Sequence, residues 1–83
     1  MKYLFNKKDK SINILNDDDI LVFKRDKEGN SYLYSNGNLK ETFLVKDYLQ
    51  STVKDFRTAQ ENFFKKANID SKKIFSILRD NIK

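Results

Sequence analysis

The sequence predicts an α+β fold, with an N-terminal antiparallel β-meander of three to five short strands, then a long amphipathic helix and a shorter C-terminal helix. Three observations carry that expectation. Short β-branched and aromatic runs are separated by turn residues up to residue 43. Asn36 and Gly37 stand between two of those runs, and both tolerate the positive φ of a two-residue type I′ hairpin loop. From about Leu44 the apolar period changes from two to 3.6. Residues 1–43 are therefore read as mainly strands, and residues 44–83 as two helices of the same domain.

The runs 20–24, 31–35 and 39–43 form the meander. Residues 26–30 read as a type I turn with Gly29 in the left-handed position beside a bulge. These two turns set the register: Val22 is expected opposite Tyr34, Phe23 opposite Leu33, Tyr34 opposite Leu39 and Leu33 opposite Lys40. One face then carries Ile20, Val22, Tyr34, Leu39 and Phe43, the larger apolar set and the expected core side. The other carries Leu21, Phe23 and Leu33 among Ser31, Ser35, Lys40 and Thr42, a second patch that needs a cover. Upstream, the alternation Ile12, Asn13, Ile14 suggests a fourth strand, and residues 2–5 a fifth. Asp17, Asp18 and Asp19 lack the alternate ligand spacing, Gly and distal Glu of a calcium loop, so they are read as a solvated turn.

In the second half, Val45, Leu49, Thr52, Phe56, Ala59, Phe63 and Ala67 fall on one helical stripe, widened by Tyr48, Val53 and Phe64. A helix of about twenty residues would span about 30 Å and overhang short strands. Asn68 suits a left-handed cap, Asp70 an N-cap, and Ile69 can staple onto Ile74. The second helix buries Ile74, Phe75, Ile77, Leu78 and Ile82, leaving Lys72, Ser76, Arg79 and Lys83 on the opposite side.

Composition narrows the function classes. The chain has 83 residues, no Cys, no His and no Pro. Imidazole acid–base catalysis, thiolate nucleophiles and soft-metal sites are therefore excluded. No phosphate-cradling Gly motif is present either, so no catalytic residue, cofactor or metal is expected. A chain this short buries only about 60% of its unfolded surface, and without disulfides an oligomer that shares part of its core is expected. No run approaches the about 20 apolar residues of a membrane span, and the N-terminal residues lack a signal-peptide core; the expected location is the cytoplasm.

The formal charge is +5, with 17 basic and 12 acidic residues. That balance points to a polyanionic partner, DNA or RNA, although a lysine- and asparagine-rich, alanine-poor composition also follows from an AT-rich genome. The segment 65–78 resembles the turn and second helix of a helix-turn-helix, with Asn68 at the turn, Asp70 as cap, and Ile74 and Ile77 at buried positions. The resemblance places Ser71, Lys72, Lys73 and Ser76 toward a major groove and Arg79 on a phosphate. Phe64 departs from it, standing where a small residue normally permits close crossing.

The nucleic-acid-binding residues expected are Lys72, Lys73, Ser76, Arg79 and Lys83, with Lys7, Lys8 and Lys10 from the basic N-terminus. A second route is stacking on Tyr32 beside Lys24, Arg25, Lys27 and Lys40; Tyr34 is expected in the core. The apolar surplus predicts a protein interface at Leu21, Phe23, Leu33, Tyr48, Phe63 and Phe64, with self-association through the long helix. The function expected is thus a non-enzymatic, homodimeric, nucleic-acid-associated regulatory or accessory protein. The competing reading is a protein-binding inhibitor or adaptor, of the kind a phage or plasmid encodes against a host or mobile-element complex.

Overall fold

The computed structural model describes residues 1–81. It has five strands, β1 (Lys2–Asn6), β2 (Ser11–Leu15), β3 (Ile20–Arg25), β4 (Ser31–Ser35) and β5 (Asn38–Phe43), then a 3-10 turn (Val45–Tyr48), α1 (Val53–Lys66) and α2 (Ser71–Asn81). The strands form one antiparallel sheet in sequence order. Both expected extra strands are present, and the α+β expectation holds. Asn36 and Gly37 have φ of 50° and 88°, and Gly29 has φ 93° with its amide on the Asp26 carbonyl at 3.2 Å, as their turn types require.

The register agrees with expectation between β3 and β4, where Val22 faces Tyr34 and Phe23 faces Leu33. It departs between β4 and β5. Tyr34 still faces Leu39, but Leu33 faces Glu41, so Lys40 is an extra residue in β5. This bulge reverses the facing of everything after it. Phe43 lands opposite Ser31, on the side of Leu33 rather than that of Tyr34.

The core consequently forms on the face expected to be secondary. Ile12, Ile14, Leu21, Phe23, Leu33 and Phe43 are buried against Phe63, Phe64, Ile69, Ile74 and Leu78 of the helical half. Leu21, Phe23, Leu33, Phe63 and Phe64, expected at a protein interface, are buried inside the chain and cannot serve there. The physical reason is volume: β2 contributes Ile12 and Ile14 to that side, and Phe43 joins them through the bulge. Tyr48, the sixth expected interface residue, stacks on Phe43 with ring centroids 4.8 Å apart.

The expected long helix is broken. Ser51 donates its amide to the Tyr48 carbonyl at 3.0 Å, and the Thr52 hydroxyl accepts from the Asp55 amide at 3.1 Å as an N-cap. Leu49 and Val53 fall off the apolar stripe and are exposed. The fourteen residues of α1 span about 21 Å, close to the length of the strands beneath, so no apolar overhang remains.

The connection between the helices follows its sequence logic closely. Asn68 has φ 60°, Ile69 donates its amide to the Phe64 carbonyl and Asn68 to that of Lys65, both at 3.0 Å, a Schellman ending. Asp70 then caps α2 through Oδ1, accepting from the Lys72 amide at 3.0 Å, and its own amide donates to the Tyr3 hydroxyl at 3.0 Å, pinning the turn to β1.

Phe64 is the hub of this packing, 1% exposed, with ring contacts to Phe23, Phe63 and Phe75 at 5.5, 5.3 and 5.7 Å. Phe64→Ala is expected to cost about 3–5 kcal/mol, comparable with the whole stability of a chain this size, so urea denaturation should show it largely unfolded in buffer. Deletion of Lys40 should remove the bulge while keeping Phe43 on the core side; the near-UV circular dichroism of the aromatic cluster is expected to survive it.

Candidate nucleic-acid interface

In an antiparallel meander the first and third turns lie at the same end of the sheet. Here these are the β1–β2 turn, residues 7–10, and the β3–β4 turn, residues 26–30. α2 closes toward that end, and the three elements enclose an open groove of about 800 Å³. Its apolar floor is Phe75 and Leu78, and Lys10, Arg25, Lys27 and Arg79 line it together with Asp9, Asp26 and Glu28.

Two of those acids are occupied in holding their turns. Asp9 Oδ1 accepts from the Ser11 hydroxyl at 2.6 Å and from the Ser11 amide at 3.2 Å, and Oδ2 lies 3.9 Å from Lys24 Nζ. The Ser11 hydroxyl bond, more than any other contact, holds the Asp9 carboxyl below its usual range. Asp26 is a junction: it accepts from the Asn30 side-chain amide at 2.9 Å, the Asn30 and Glu28 backbone amides, and the Tyr32 hydroxyl at 3.1 Å. The Asn30 amide is the largest cause of a lowered Asp26 pKa, and the same carboxylate raises the Tyr32 phenol. Asn30 in turn accepts the Val45 amide at 2.8 Å, tying this turn to the chain leaving β5.

Both carboxylates stay ionised, so with Glu28 the groove sets four cations against three anions. The Arg25 guanidinium lies 5.9 Å from the Phe75 ring centroid, a planar cation on an aromatic face. On α2, Lys72, Ser76 and Arg79 recur at helical spacing on the flank next to the groove, with Lys73 beside them. Lys72, Lys73 and Arg79 are exposed and Ser76 half-buried. Arg79 Nε lies 3.7 Å from Asp80, an exposed pair of little energetic weight. Lys72 and Lys73 occupy the first turn, where the helix dipole disfavours cations. Local helix stability does not account for them. Lys65 and Lys66 are exposed at the end of α1, and Lys66 lies toward Glu41 and Thr42 of β5, away from the groove.

Among the expected contacts, the fold brings Lys10 and Arg79 into one groove and aligns Lys72, Lys73 and Ser76 beside it. Lys7 and Lys8 are exposed in the β1–β2 turn, outside the groove lining. Lys83 lies outside the described residues. Arg25 and Lys27, expected beside a stacking sheet, belong to the groove instead. Tyr34 is not in the core: it lies half-buried on the opposite sheet face with Tyr32, and Lys24 Nζ sits 5.6 Å from its ring centroid. Phe75 was expected only as a core residue. Phe64 and Phe75 meet edge to face at 5.7 Å between α1 and α2, where a helix-turn-helix has a small residue to permit close crossing.

No known protein family, curated protein or solved structure matches the chain. Among the described residues no group of acidic side chains is arranged to hold a metal ion, and no helix is long and apolar enough to cross a membrane.

Asp26 gives a pH test. Its folded pKa lies below the unfolded value, so its contribution is present above about pH 4 and is lost as pH falls through the folded pKa. Asp26→Asn is expected to be less stable than the parent at pH 7, with the difference shrinking below that range in urea titrations at each pH.

Proposed function

We propose that this chain is a non-enzymatic, nucleic-acid-associated regulatory or accessory protein of the cytoplasm, binding the phosphate backbone along α2 and the adjoining groove. The observation that supports this reading is the gathering of Lys10, Arg25, Lys27 and Arg79 on one groove, four cations against the three acids Asp9, Asp26 and Glu28, with Lys72 and Lys73 exposed on the adjoining helix. Lys72 lies two turns back on the same flank of α2, about 10 Å along the axis from Arg79, the axial rise of about three phosphates of one duplex strand. The contacts named are to charge rather than to base edges, so the binding proposed is largely independent of sequence. A chain without cysteine suits a reducing compartment.

The uncovered face of the sheet favours a second reading, a protein-binding inhibitor or adaptor for which the positive charge is incidental. A salt titration separates the two. Binding to random-sequence single-stranded DNA is expected to weaken with a slope of log affinity against log salt of about −3 to −4, for five phosphate contacts. Arg25→Glu, Lys72→Glu and Arg79→Glu together should abolish it with unchanged far-UV circular dichroism. No detectable binding to single- or double-stranded DNA at about 50 mM salt would reject the nucleic-acid reading.

A further inference from the structure

Both helices pack on one face of the sheet, and the other face is apolar as well. Leu4, Asn13, Val22, Tyr34 and Leu39 form one row across all five strands, and Leu15 and Ile20 pair in the next row. Leu4, Ile20 and Leu39 are 48%, 54% and 57% exposed. An antiparallel sheet with one wet face ordinarily alternates apolar with polar residues. Here the middle row is apolar except at Asn13, with Lys2, Asn6, Ser11, Lys24 and Thr42 in the rows beside it, and an uncovered apolar row of this kind marks an interface.

The charges at the two ends of that face say what covers it. At the end where Leu15 and Ile20 lie, the β2–β3 turn carries Asp17, Asp18 and Asp19, all exposed. At the other end the β1–β2 turn carries Lys7, Lys8 and Lys10, all exposed, against the single acid Asp9. A face that is acidic at one end and basic at the other is complementary to itself under a two-fold axis that reverses strand direction. Each acidic turn then meets the partner's basic end, and the apolar rows meet in the middle.

A single-stranded nucleic acid fits less well. The strand positions of this face hold Lys2 and Lys24 as cations, with Lys40 at the bulge of the edge strand, and Lys24 is already engaged by Asp9 and the Tyr34 ring. Five strands spaced about 4.8 Å apart and about 17 Å long present about 400 Å² of plane. Two such faces, with side-chain relief added, reach about 1,200 Å², where specific interfaces begin.

We infer that the open face of the sheet binds a second copy of this chain, face to face and with strand directions reversed. The groove along α2 lies on the far side of each copy and stays accessible, so this pairing is independent of nucleic-acid binding.

Light scattering of the full chain at about 100 µM should give twice the 9.9 kDa chain mass. A species of one chain mass would overturn the inference. Ile20→Glu with Leu39→Glu should give a folded monomer, since both side chains are exposed and carry little of the core. A dimer of undiminished affinity in that variant would place the interface elsewhere. Asp17→Lys, Asp18→Lys and Asp19→Lys together, in a solvated turn that should spare folding, should weaken dimerisation at least about tenfold. An unchanged dissociation constant would overturn the two-fold arrangement.

Discussion

At Lys40 the last strand takes in one residue more than its neighbour, and much of the structure depends on that step. The bulge turns Phe43 toward the side of Leu33, where it stacks on Tyr48 and meets Phe56 and Phe63 edge-on at 5.3 and 6.1 Å. Were Lys40 paired in regular register instead, the aromatic residue leading into the helical half would face away from the helices. With the bulge, the strand delivers the chain onto the core side, and Asn30 holds the Val45 amide as the chain turns. The bulge therefore puts Phe43 on the sheet face that Ile12, Ile14, Leu21, Phe23 and Leu33 already make the core side.

The helical half is secured at its two ends by different physics. At the start, Tyr48 and Phe56 clasp Phe43. At the far end, the connection is made of backbone hydrogen bonds: the Schellman ending at Asn68, the Asp70 cap, and the Tyr3 hydroxyl. Between them Phe64 fills the space beneath both helices. This clamp sets the direction of α2, and hence brings Phe75 and Arg79 to the turns that carry Lys10, Arg25 and Lys27. The groove is a consequence of packing several residues away from it.

The distribution of charge is more informative than its total. Asp9 and Asp26 are spent on turn geometry, while residues 17–19 place three acids at the opposite end of the sheet. The surplus of five positive charges is thus presented unevenly, with cations concentrated along α2 and around the first and third turns. Two surfaces of different character result, a basic groove on the helical side and an apolar, charge-polarised sheet face on the other.

Local chemistry was legible from the sequence wherever adjacent residues decide it. The turns at Gly29, at Asn36 and Gly37 and at Asn68, the cap at Asp70, and the pairing of Val22 with Tyr34 and of Phe23 with Leu33 all follow from side chains a few positions apart. What residues 20–43 could not determine was the side on which the core would form. Both strand faces are apolar, and one unpaired residue reverses the facing of Phe43 without any distinctive residue type to announce it. The helical stripe from Val45 to Ala67 was readable as a period but not as a length. The strands beneath it limit how far a helix can run, and Thr52 could cap a helix as readily as sit within one. The basic residues of the groove are similarly distant in sequence, at positions 10, 25, 27 and 79, and only the docking of α2 against the sheet assembles them. Sequence alone determined the elements and their turns; packing volume and one bulge, both non-local, decided which surfaces they leave for binding.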